Sequence, residues 1–123
     1  MNVVIGNSLA AGLLGLFSGL LFYFIFKIFD KKKAETALIK KIKNNDIQSC
    51  VQLLNEGVNI DEQDDKGATA LIYAVLSTNP KLVKLLVDRN ANTNIYTRKG
   101  VCAKLIAINN NLTEIIQILN SKK

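Results

Sequence analysis

The sequence predicts an all-α protein in two parts: a single transmembrane helix, then a short solenoid of helix-turn-helix repeats. Three observations carry this. Val3 to Phe26 contains no charged residue, while every charge in the 123-residue chain lies at or after Lys27. The tetrapeptide Thr-Ala-Leu-Ile occurs at Thr36 to Ile39 and again at Thr69 to Ile72, 33 positions later. The residues flanking both copies keep the same offset, which chance repetition of a tetrapeptide would not produce.

The apolar run comes first. Its 24 residues would extend about 36 Å at the helical rise of ~1.5 Å per residue, and roughly 20 apolar residues cross a hydrocarbon core. A cleaved signal peptide would carry positive charge before the run, whereas here the lysines follow it. A buried core helix would show one apolar stripe rather than an apolar circumference. The expectation is therefore a transmembrane anchor over residues 1–30. Lys27, Lys31, Lys32 and Lys33 flank its C-terminal end, and Phe22, Tyr23, Phe24 and Phe26 supply an aromatic belt there. By the positive-inside bias, the N-terminus lies outside and the C-terminal domain in the cytoplasm of a plasma or bacterial inner membrane. Ser8, Gly12, Gly15 and Gly19 share one face of this helix. Such a small-residue stripe lets membrane helices approach closely, which points to a homo-oligomer or a partner helix.

A basic juxtamembrane linker (31–35) follows. Lys27 to Lys43 holds seven lysines against Asp30 and Glu35, a net of +5, whereas the rest of the chain has nine basic and eight acidic residues. A nucleic-acid domain should carry its basic stripe across the folded unit, so no nucleic-acid partner is expected. No proline or glycine lies between Leu20 and Gly57, so nothing in that stretch forces a break, and whether anchor and first repeat helix run as one is left open.

The repeats occupy 36–123, with copies at about 34–61, 62–94 and 95–123, by the same 33-residue offset. Leu53 faces Leu86 and Leu119, Cys50 faces Val83 and Ile116, and Ile42 faces Val75 and Ile108. Gly67 faces Gly100, Ala74 faces Ala107, and Asn59 faces Asn92. In the middle copy, Thr69 to Leu76 reads as a first helix with Leu71, Ala74 and Val75 on one face. Asn79-Pro80 starts a second, since asparagine caps and proline suits the first helical position. Asn90, like Gly57 before it, stands where a left-handed residue ends a helix.

The stretch DDKGATALIYAVLSTNPKLVKLLVDRNANTN (64–94) resembles an ankyrin repeat, a family whose period is 33. Asp64, Gly67, Thr69, Leu71 and Ala74 match its D-x-x-G-x-T-P-L-H-x-A start, and Val83, Leu86, Val87, Ala91 and Asn94 the remainder. Ala70, Ile72 and Asn90 depart from the family's proline, histidine and glycine, so the Thr–His bonding usual at the repeat start is not expected. The resemblance covers about Ala34 to Asn120. The outer copies read as caps: Lys40 and Lys41 stand where the middle copy has Tyr73 and Ala74, and Lys104 where it has Leu71.

The family resemblance implies a protein partner, bound by turn tips and first-helix surfaces. In the middle copy these are Gln63, Asp65, Lys66, Ala68, Leu76 and Ser77. In the third they are Tyr96, Arg98, Lys99, Val101, Asn109 and Asn110, among which the aromatic and the arginine are the favoured contacts.

No catalytic constellation is visible. With no histidine there is neither a His-ligated zinc site nor a Ser-His-Asp or Cys-His pair. Cys50 and Cys102 lack CxxC spacing and read as small buried hydrophobes, with a disulfide between them left open. The acidic run Asp61 to Asp65 lacks the ligand spacing of a calcium loop and reads as a solvated turn tip. No cofactor or metal is expected, and no enzyme. Two functions fit: a membrane-anchored adaptor or inhibitor, including an immunity-type protein, that binds a partner at the cytoplasmic face; or a structural subunit assembled through the glycine-faced helix.

Overall fold

The computed structural model describes residues 19–25 and 35–121. The chain divides into two compact units, Met1–Lys33 and Ala34–Lys123. Within the first, helix α1 covers residues 19–25, with Phe22, Tyr23 and Phe24 exposed. Among the described residues no helix is long and apolar enough to cross a membrane. This corrects the expected transmembrane anchor and, with it, the single-pass placement and the outside–cytoplasm orientation. Ser8, Gly12 and Gly15 lie outside the described residues. Among the described residues, no atom lies within 4 Å of where a Cβ on Gly19 would sit.

The second unit is three helical hairpins: α2 (Ala37–Lys43) with α3 (Ile47–Asn55), α4 (Ala70–Leu76) with α5 (Pro80–Asp88), and α6 (Ala103–Asn109) with α7 (Thr113–Asn120). Helices this short are marginal alone; caps and packing hold them. Thr36 and Thr69, 33 positions apart, each accept a hydrogen bond at the hydroxyl from the amide three residues on. Thr36 is extended (φ −67°, ψ 151°), so α2 starts at Ala37. Asp46 caps α3 through the Ser49 amide, and Asn79 caps α5 through the amides of Lys81 and Leu82, with Pro80 at the first helical turn as expected.

The first helices stack in a row, α2 on α4 on α6, and α5 packs on α7. Between the layers lie Ile39, Ile42, Leu71, Val75, Leu82, Val83 and Leu86, all 2% exposed or less. Burying a side chain of this size contributes about 1.5–3 kcal/mol. The third copy departs from the register in its packing. Leu105 and Ile108, which match the buried Ile72 and Val75, are 39% and 47% exposed. Ile72 and Val75 lie under the next repeat; no described element lies beyond α6 to cover their counterparts.

Candidate functional site

Turn tips precede α4 and α6, and the register extends to their backbone. Asp64 N–H donates to the Ala68 carbonyl at 2.9 Å and Gly67 N–H to that of Asp64 at 3.0 Å; Thr97 to Val101 and Gly100 to Thr97 repeat this pair at 2.9 Å each. Adjacent tips are then tied together. The Arg98 amide donates to the Lys66 carbonyl at 3.0 Å, and the Asn92 amide to the Asp61 carboxylate at 2.8 Å. Gly67 is at φ +77°, and a Cβ there would stand 3.0 Å from the Arg98 nitrogen. Only glycine meets both the left-handed backbone and the close approach.

Asp64 corrects the expectation that the acidic run is simply a solvated tip. It is 8% exposed, and its carboxylate accepts from the amides of Lys66 and Ala68 at 2.9 Å each and from the Tyr73 hydroxyl. Burial pushes its carboxyl up, but the Tyr73 hydroxyl, the two amides and the charge of Lys43 outweigh it and hold the group below the usual carboxylate value. Burial, then the bond and charge of Asp64, push Tyr73 up to about 12. This pair is saturated structurally: the carboxylate is fully engaged, and the phenol is a weaker acid than normal. Lys43 stands 4.3 Å from the Tyr73 ring centroid and pairs with Glu35.

Between tips and inner helices lies a groove of about 660 Å³. Ala68, Ile72, Tyr73, Leu76, Val101 and Ile106 supply its apolar lining; Asp65, Lys66, Arg98 and Lys99 stand at its polar margin with Thr97. Seven expected contact residues are thus brought together: Asp65, Lys66, Ala68, Leu76, Arg98, Lys99 and Val101. Leu76 is 54% exposed, an uncovered aliphatic side chain at the end of α4.

The other expected residues lie outside this lining. Gln63 donates from Nε2 to the carbonyls of Gly67 (2.8 Å) and Tyr96 (3.2 Å), bracketing the tips. Ser77 turns back to the Ala74 carbonyl at 2.7 Å, and Asn110 to that of Ile106 at 2.8 Å; both serve helix ends. Tyr96 and Asn109 are exposed. Ile72, Tyr73 and Ile106 line the groove but were not expected to. Tyr73 and Ile106 share one register position, and that variable position was the signal available.

Both cysteines are free and buried. Burial, then the charge of Asp46, raise the Cys50 thiol to about 11, which disfavours the thiolate that nucleophilic or redox chemistry needs. Among the described residues, no three His, Cys, Asp or Glu are grouped to hold a metal.

A two-layer stack of helical hairpins, repeating at 33 residues with paired turn tips and an open groove, defines a repeat scaffold built for surface recognition. The chain belongs to the ankyrin repeat family: the model described as ankyrin repeats (3 copies) matches residues 9–99 and 38–123. It is similar to the ankyrin repeat, SAM and basic leucine zipper domain-containing protein 1 of Carollia perspicillata, 40% identical over 55 residues, 45% of this chain and 12% of that protein. It is also similar to an ankyrin repeat protein of Fowlpox virus (strain NVSL), 35% identical over 74 residues, 60% of this chain and 13% of the other. The chain therefore spans about an eighth of the length of these relatives. Among solved structures, the ankyrin repeat protein EF0377 superposes with a TM-score of 0.68 at 35% identity, over 72% of this chain and 47% of that one. The ankyrin domain of Bcl-3 gives 0.69 at 28% identity, over 72% and 39%. Ankyrin repeats are in general protein-interaction modules.

Proposed function

We propose that this chain is a protein-binding module that holds a partner segment in the groove between its turn tips and inner helices. It acts by occupancy, as an adaptor or inhibitor, and not by chemistry. One observation carries the reading. Tip and helix residues from two successive repeats converge on an apolar groove in which Leu76, more than half exposed, stands beside uncovered polar side chains. An exposed aliphatic ringed by polar groups is the usual anatomy of a recognition site. The two groups that resemble a reactive pair, Asp64 and Tyr73, are bonded to each other and to the tip backbone, so neither is free to serve as a base or nucleophile.

The test is affinity capture with the wild-type chain and with Leu76→Asp and Arg98→Glu. Both positions are exposed, so both variants should melt within a few degrees of wild type, as surface changes do, while losing the captured partner. A partner retained equally by both variants would exclude this groove.

A further inference from the structure

We propose that the groove takes an extended acidic peptide segment carrying one aliphatic or aromatic anchor; this deepens the groove reading and rests on it. The tips differ in charge at matched positions. The second repeat reads Asp64-Asp65-Lys66-Gly67 and the third Thr97-Arg98-Lys99-Gly100. The Asp64 carboxylate is spent internally on two amides and the Tyr73 hydroxyl. That leaves Asp65 as the one carboxylate at the margin, against the cations of Lys66, Arg98 and Lys99. The ion pairs of the described repeat unit, Lys41–Asp46, Lys43–Glu35 and Lys84–Asp88, all lie elsewhere. Among the described residues the margin cations outnumber the margin carboxylate three to one, and the Arg98–Lys66 backbone bond holds their two tips side by side before anything binds. Preorganised charge of one sign selects a partner of the other.

The geometry also sets a spacing. Helix α4 runs from the tip to Leu76, seven residues or about 10 Å. An extended chain covers ~3.3 Å per residue, so acidic residues at the tips and an anchor on Leu76 lie about three residues apart. The lining favours peptide over nucleic acid. It is mainly aliphatic, and its aromatic ring, Tyr73, is engaged at its hydroxyl by Asp64 and at its face by Lys43. A single strand would find no free stacking platform there.

The test measures binding of the full chain to an array of short extended peptides in which charge, anchor and spacing vary independently, with a single-stranded oligonucleotide as competitor. Acidic members with a leucine or phenylalanine about three residues from the carboxylates should bind. Inverting their charge, replacing the anchor by alanine, or introducing Arg98→Glu should each weaken binding about tenfold or more, as losing a central contact does. Binding should also fall as salt is raised. Charge-inverted peptides bound equally well, and lost in Leu76→Asp, would overturn the acidic partner while leaving the groove reading intact. Binding unaffected by both Leu76→Asp and Arg98→Glu would overturn the two together. Displacement by the oligonucleotide, or no acidic peptide bound at all, overturns the inference.

Discussion

Thr78 holds a backbone conformation that suits its neighbours in register better than itself. Asn45, Thr78 and Asn111, one per repeat, turn the chain between paired helices at φ +55°, +53° and +54°. Asparagine tolerates the left-handed region, whereas a β-branched side chain there is an outlier. Thr78→Asn should therefore raise stability by about 1 kcal/mol, read as a higher urea midpoint at unchanged slope; no gain would mean the turn is unstrained. Asp64 supplies the second case. Its folded-state value is lowered, so its contribution is complete above the unfolded carboxylate value near ~4 and lost as pH falls through the lower folded one. The acid limb of the stability curve should flatten in Asp64→Asn, which will also be less stable at neutral pH. Tyr73, raised to about 12, behaves oppositely: its contribution is complete below ~10 and fades as pH climbs towards 12. An acid limb unchanged in Asp64→Asn would show that the carboxylate is not the group being protonated.

At the scale of the element, the first helices show where caps form and where one is missing. Thr36 and Thr69 cap α2 and α4; Cys102, at the same register position, is extended (φ −114°, ψ 168°) like Thr69 and makes no side-chain cap. Threonine would place a hydroxyl where the sulfur now stands. Cys102→Thr should stabilise by roughly 0.5–1 kcal/mol, with greater amide protection in α6 by hydrogen exchange. Loss of stability would show instead that the buried thiol packs better than it could cap. The second helices were readable from Asn79-Pro80. The N-terminal element was not. A run of apolar residues announces an affinity for apolar surroundings, but among the described residues no helix is long and apolar enough to cross a membrane.

At the scale of the molecule, stability is shared along a stack in which each repeat rests on its neighbours. Leu86 is fully buried in the middle hairpin. Leu86→Asp removes about 1.5–3 kcal/mol of burial and adds the cost of a buried carboxylate, against a total stability of order 5–15 kcal/mol. The whole stack should unfold at room temperature, seen as lost helical circular dichroism; a cooperative melt near the wild-type temperature would contradict the packing. The groove belongs to this scale too. Positions such as Lys66, Leu76 and Arg98 were marked by their offsets from the repeat framework, yet Gln63, Ser77 and Asn110 were marked the same way and serve the backbone instead.

The sequence by itself determined the repeat: its period, its helices, the asparagine cap at Asn79, the left-handed positions Gly57 and Asn90, and the family they define. These follow from rules that act within a few residues and then recur every 33, so a linear reading finds them. Only the tertiary structure decided that Asp64 is buried while Asp65 is left at the groove margin, that Tyr73 lines the groove, and that Leu105 and Ile108 lie open where Ile72 and Val75 are covered. The groove lining and the open third repeat depend on what an adjacent repeat presents. That is a relation between surfaces a full period apart, which no local pattern encodes.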